Sequence, residues 1–126
     1  MILVIGGAYQ GKLNYVLDRF NMTNADVFEC SAEDAVMPEG KKVIYEIEKW
    51  ILSLIKADAD TTDALRRFME DNGDAIVIAN DISCGVVPVD DTLRKWREAV
   101  GRSLAGLSRA SDEVIRLFCG IPTRIK

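Results

Sequence analysis

Short β-branched runs alternate along this chain with stretches whose apolar positions recur every three or four residues. Ile2 to Ile5 form the first run and end in Gly6-Gly7, the pattern of a buried strand feeding a tight turn. After Lys12, the residues Leu13, Val16, Leu17 and Phe20 repeat at helical spacing, so the order is strand, glycine loop, helix. "ADVFEC" at 25–30 is a second short strand. "KKVIYE" at 41–46 is a third and runs directly into a helix through Ile47, Trp50, Ile51, Leu54 and Ile55. The polar stretch "SAEDAVMPEGKK" at 31–42, interrupted by Pro38 and Gly40, reads as a loop.

A helix capped among Asp60, Thr61 and Thr62 buries Leu65, Phe68 and Met69 and stops at "DNGD", where Gly73 suits a left-handed cap. "AIVIA" at 75–79 is the clearest internal strand. The long amphipathic helix that follows places Leu93, Trp96, Val100, Leu104 and Leu107 on one face, with Arg94, Lys95, Arg97, Arg102 and Arg109 largely off it. A strand at about 113–118 and a short terminal one after Pro122 complete the chain. Strands alternating with helices predict an α/β fold, a mainly parallel sheet with helices on both faces, because parallel neighbours need crossovers.

The 126 residues suffice for one compact core, so a single domain over 1–126 is expected. Sixteen basic against twenty acidic residues give a net charge of −4, which opposes sequence-independent attraction to nucleic acid. Cys30, Cys84 and Cys119 are odd in number and widely spaced, which suggests neither a disulfide framework nor a zinc site and fits a reducing cytoplasm. "MILVIGGA" is too short for a membrane span and lacks the marks of a signal peptide. Histidine is absent, which removes imidazole as base, nucleophile or metal ligand.

Gly6, Gly7, Ala8, Tyr9, Gln10, Gly11 and Lys12 match the phosphate-loop pattern G-x-x-x-x-G-K, placed between strand and helix as the mechanism requires. In such a loop, backbone N–H groups surround phosphate oxygens, the helix N-terminus adds positive potential, and the lysine reaches the β and γ groups. Leu13 stands where a Ser or Thr hydroxyl normally coordinates Mg²⁺, so weaker metal positioning is expected with nucleotide binding retained. The competing reading is a plain tight turn followed by a solvated first-turn lysine. Asp81, just beyond the 75–79 strand, is placed to hold Mg²⁺ or to take a proton from an attacking hydroxyl; an ordinary Asn-Asp turn accounts for it equally well. "CGVVP" at 84–88 joins flexible Gly85 to stiff Pro88, as a substrate-facing loop or a simple connection. Arg97 and Arg102 read as solvated helix surface, with phosphate contact the competing reading for each, Trp50 and Trp96 as core, and Asp58, Asp60 and Asp63 as capping residues rather than a metal cluster.

Four segments together resemble the adenosylcobinamide kinase / adenosylcobinamide-phosphate guanylyltransferase family of cobalamin biosynthesis. "GGAYQGK" corresponds to its phosphate loop and "ND-I-x-C-G-V-V-P" to its Asn-Glu segment, with Asp81 in place of Glu. "WREAVGR" is similar to its aromatic-Arg-acid-x-x-Gly-Arg helix, and "SDEVIRLFCGIPTRIK" to its last strand and G-x-P-x-x-x-K ending. The resemblance covers residues 1–20 and 75–126. It implies a RecA-like P-loop fold, ATP or GTP as donor, Mg²⁺, a corrinoid alcohol as acceptor and a tendency to homo-oligomerise. The family's second reaction uses a histidine that becomes covalently linked to GMP, and this chain contains none. Leu13, Leu104 in place of Asn, and a "KVIYEIEKW" segment without the expected strand-end Asp are further departures. Two functions follow as expectations. One is phosphoryl transfer from ATP or GTP to adenosylcobinamide; the other is a catalytically inactive, nucleotide- or corrinoid-binding relative acting as regulator or partner subunit.

Overall fold

The computed structural model describes residues 1–37, 40–82 and 89–126; Pro38, Cys84, Gly85 and Pro88 lie outside the described residues. The chain runs β1 (Ile2–Gly6), α1 (Lys12–Arg19), β2 (Val27–Glu29), β3 (Val43–Tyr45), α2 (Ile47–Lys56), α3 (Thr61–Asp71), β4 (Ile76–Asn80), α4 (Asp91–Ala110), β5 (Glu113–Phe118) and β6 (Ile121–Arg124). The six strands form one sheet in the order β2-β3-β4-β1-β5-β6, parallel except for the final β5–β6 hairpin. The fold is α/β with a mostly parallel sheet, as the alternation of patterns predicts.

Strand alternation divides the core into two layers. Leu3, Val77 and Val114 face the helices α2, α3 and α4 and pack with Trp50, Ile51, Phe68, Val100 and Leu107. Val4, Ile78, Ile115 and Leu117 face α1 and pack against Val16. The two central strands, β1 and β4, are almost wholly apolar, as expected for strands covered on both faces.

Several boundaries differ from expectation for local reasons. Residues 24–26 of the second strand candidate form a 3-10 turn, closed by a reciprocal capping box between Thr23 and Asp26, and only Val27–Glu29 extend. Gly73 does not adopt the left-handed conformation; α3 ends at Asn72, whose Nδ2 donates to Phe68 O at 2.9 Å and supplies the cap itself. Leu93 is exposed, in the first turn of α4, while Val100 and Leu107 are buried. The terminal strand starts at Ile121 rather than after Pro122, and Gly120 at φ 76° makes its turn. Lys126 closes that segment by donating from Nζ to Ser108 O and Arg109 O, which satisfies carbonyls at the end of α4. Cys30 is buried and Cys119 exposed, and both are free thiols.

β1 lies between β4 and β5, with Gly6 level with Asn80 on one side and Leu117 on the other. A Cβ at Gly6 would sit 2.5 Å from Leu117 O, a backbone atom that cannot move aside alone. Gly6→Ala is therefore expected to lower stability by about 1–3 kcal/mol. At Gly7 the nearest atoms to such a Cβ belong to the flexible Gln10 side chain at 3.8 Å, so Gly7→Ala stays within roughly 0.5 kcal/mol. Urea unfolding of both variants at unchanged m-value checks this contrast.

Candidate functional site

The site is built where β1, β3 and β4 end. Parallel strands bring their carboxyl ends to one edge of the sheet, the edge at which such folds bind ligands. The glycine loop leaves β1 at Gly6 and rises through Gly7, Ala8, Tyr9 and Gln10. Tyr9 at φ 60° and Gly11 at φ 82° both take the left-handed conformation that reverses the chain toward α1. Among the described residues, no acceptor is matched to the N–H groups of Gly7, Ala8, Tyr9 or Gly11. Gly11 is the N-cap of α1 and contributes no side chain, and the first turn of α1 contains no acid. The other three α-helices each carry a carboxylate there: Glu48 in α2, Asp63 in α3 and Asp91 in α4. The positive end of α1 is thus left uncompensated by its own side chains, the electrostatic condition for holding an anion.

Lys12 is not a solvated first-turn residue. It is 4% exposed, and its Nζ donates to Gly7 O at 2.5 Å, folded back over the loop. Burial lowers its pKa, opposed by the nearby charges of Glu48 and then Glu46. Leu13 is half-buried against the α1-side core and also lines the groove beside the loop. That groove, about 620 Å³, has walls from Ala8 to Asn14 on one side and Tyr45, Glu46, Lys49 and Asn80 on the other.

Glu46, Glu48, Lys49 and Asn80 carry functional geometry that the sequence reading did not assign. Glu46 follows β3 directly, at φ 60°, and serves as N-cap of α2; its Oε2 is buried and ion-paired with Lys49 Nζ at 2.5 Å. A carboxylate therefore does stand at the end of this strand, one residue past Tyr45 and as Glu rather than Asp. Glu48 is 2% exposed. Its Oε2 accepts from Asn80 N at 3.1 Å, its Oε1 from Asn80 Nδ2 at 2.7 Å, and its main-chain oxygen from Trp96 Nε1 at 2.7 Å. The readable signal was a charge at 48 in line with Ile51 and Ile55 on an apolar helix stripe.

Asp81 lies beyond β4, where its N–H donates to Gly6 O at 2.9 Å. It borders a smaller cavity of about 190 Å³ with Gly6, Gly7, Gln10, Arg116 and Phe118, on the β5 side of the loop. Gly6 to Lys12 and Asp81 are thus brought together, but Lys12 and Asp81 face different cavities. Gln10 ties the loop to the β5–β6 turn, its Oε1 accepting from Cys119 N. Arg102 makes a surface ion pair with Glu98 at 4.0 Å. Asp60 caps α3 through Asp63 N, and Asp63 pairs with Arg66 and Arg67. The 84–88 loop falls outside the described residues, and among the described residues no three His, Cys, Asp or Glu form a ready metal cluster.

Burial raises the Glu48 pKa, only partly offset by its hydrogen bonds from the backbone and from the Asn80 side chain. The folded protein therefore binds its proton more tightly than the unfolded chain does, and stability falls as pH rises from the ordinary carboxylate range to the raised value, then levels. Glu48→Gln is expected to remove that part of the slope. Urea unfolding of both proteins between about pH 4 and pH 7 measures it.

A family model described as cobinamide kinase / cobinamide phosphate guanyltransferase matches residues 34–125. The match includes β3, the start of α2 with Glu46 and Glu48, β4 and Asp81, and begins after the glycine loop. No curated protein matches the chain.

Proposed function

Because the chain belongs to the cobinamide kinase / cobinamide phosphate guanyltransferase family, which gives it a nucleotide-related transferase role in cobamide biosynthesis, we propose that it transfers a phosphoryl group from ATP or GTP to adenosylcobinamide. One observation carries this reading: backbone donors without protein acceptors among the described residues lead into a helix N-terminus that has neither a side-chain cap nor an acid. Gly6, Gly7, Ala8, Tyr9, Gln10 and Gly11 wrap the phosphates, and Lys12 exchanges Gly7 O for a β- or γ-phosphate oxygen. The bond from the γ-phosphorus to the bridging oxygen breaks as one to the acceptor hydroxyl oxygen forms, and Asp81, which faces the smaller cavity across the loop, receives the proton through water or supports the metal. Alignment and charge neutralisation supply most of the acceleration.

Mg²⁺ binds through one or two carboxylates, phosphate oxygens and retained water. Two carboxylates border the loop, Glu46 in the groove and Asp81 in the smaller cavity; because they face different cavities, either would hold the ion singly, with phosphate oxygens and water completing its shell. Position 13 contributes nothing, since leucine has no ligand atom. When bound, the ion neutralises charge on the transferring group. A covalent guanylyl-histidine intermediate has no residue on which to form in this chain. The proposed setting is a reducing cytoplasm, as the cysteine spacing suggests, with homo-oligomers as in the resemblance; no helix among the described residues is long and apolar enough to cross a membrane.

Leu13 and the missing histidine favour a second reading, a silent relative that binds nucleotide or corrinoid and serves a partner. Single-turnover transfer of labelled γ-phosphate to adenosylcobinamide separates the two: product supports the enzyme, and tight nucleotide binding without product supports the silent relative. Lys12→Ala is expected to weaken ATP and GTP binding by roughly ten- to a hundredfold, the loss of one charge-assisted contact. Leu13→Ser keeps the affinity and sharpens its dependence on Mg²⁺. Calorimetric titration with both nucleotides reads each effect, and an unchanged Lys12→Ala affinity overturns the loop assignment.

A further inference from the structure

We propose that Glu48 is a positioning residue that fixes the side-chain amide of Asn80, so that its Oδ1 accepts a hydrogen bond from the hydroxyl of the phosphoryl acceptor in the groove beside Lys12. This rests on the reading of the chain as a phosphoryl transferase to an alcohol. β3 ends at Tyr45, level with Ile78, so it stops two residues short of the end of β4. Asn80 N therefore has no β3 partner, and the Glu48 carboxylate takes its place at 3.1 Å. The second carboxylate oxygen holds Asn80 Nδ2 at 2.7 Å. A carboxylate only accepts, so the amide has one permitted orientation: its donor end faces Glu48 and its acceptor end faces away. Asn80 lines the 620 Å³ groove and Glu48 does not. The amide thus stands between the buried charge and the groove, with Oδ1 left for the groove side.

Glu48 is itself fixed. Its carbonyl receives Trp96 Nε1, which ties the first turn of α2 to α4. The charged groups that act on it are Lys12 from α1 and Glu46 ahead of α2. The arrangement selects for a donor. A hydroxyl presents a hydrogen to Oδ1, whereas an ether or a phosphate oxygen in that place meets another acceptor.

A reciprocal swap tests this. Glu48→Gln alone frees the Asn80 amide to turn, because glutamine offers one acceptor and one donor. Glu48→Gln combined with Asn80→Asp restores the orientation with the partners exchanged. In that double variant the introduced glutamine accepts the backbone N–H of position 80 through its amide oxygen. Its NH₂ donates to one oxygen of the introduced aspartate, and the other oxygen faces the groove. In single-turnover transfer from labelled ATP to adenosylcobinamide, Glu48→Gln is expected to raise the half-saturating acceptor concentration by about tenfold, the loss of one hydrogen bond. The limiting rate changes less, nucleotide affinity measured separately stays in place, and the double variant recovers most of the loss. In amide NMR, the Asn80 side-chain NH₂ is shifted and slow to exchange in the wild type and loses both properties in Glu48→Gln.

Wild-type transfer with an unchanged acceptor requirement in Glu48→Gln overturns this inference and leaves the proposed function standing. Equal loss of nucleotide and acceptor binding makes Glu48 merely structural and overturns it as well. Absence of any transfer by the wild type overturns the reading on which it rests. An Asn80 NH₂ signal indifferent to Glu48→Gln removes the positioning step itself.

Discussion

Hydrogen bonding of β1 on both of its edges is the constraint from which the site follows. With β4 on one side and β5 on the other, Gly6 is held level with Asn80 and Leu117, so the loop leaves the sheet from a fixed height and between fixed walls. The contact at Leu117 O penalises any side chain at position 6. The N–H groups left without an acceptor among the described residues, the left-handed turn at Gly11 and the start of α1 follow from that departure point. Were β1 an edge strand, the same residues would form a flexible turn with no opposing wall.

Sequence legibility followed the range of the interactions involved. The strand, loop and helix at residues 2–20 are local, and periodicity with glycine placement was enough to read them. Asp60 as the cap of α3 was legible because its partner, Asp63 N, is three residues away. Glu48 was not, because its meaning depends on Asn80, 32 positions distant, and on β3 ending before β4 does. Nor could spacing reveal what Glu46 does at the end of its strand, since the left-handed turn that sets it there belongs to a non-glycine residue. Gly73 shows the opposite error: glycine permits a left-handed cap, but the Asn72 side chain had already met the need.

Leu13 illustrates how one position can change the terms of a site without changing its backbone. Its side chain packs against the cluster of Val4, Val16 and Ile78, so what a hydroxyl would offer as a metal ligand this residue offers as buried apolar surface. The turn into α1 does not depend on it, because Gly11 supplies the conformation and Tyr15 N closes the first turn on Gly11 O at 3.0 Å. The conformation of the loop and the side-chain chemistry at position 13 are separable here.

Charge balance around the loop shows what such a site requires of its ligand. Lys12, Lys49 and Arg116 stand against Glu46, Glu48 and Asp81, so the side chains alone do not favour a polyanion. Lys49 is engaged by Glu46, and Lys12 is held by Gly7 O. In the proposed function, attraction for phosphate comes from oriented peptide dipoles, which are already in place, and from a lysine that needs only exchange one oxygen acceptor for a charged one. Under the proposed function the carboxylates would oppose a bare triphosphate and favour one that arrives with a divalent cation, since the cation would turn their repulsion into coordination. Buried Glu48, bound to neutral Asn80, keeps its charge one amide away from the groove. In the proposed role it would shape the acceptor side without repelling the phosphate at close range.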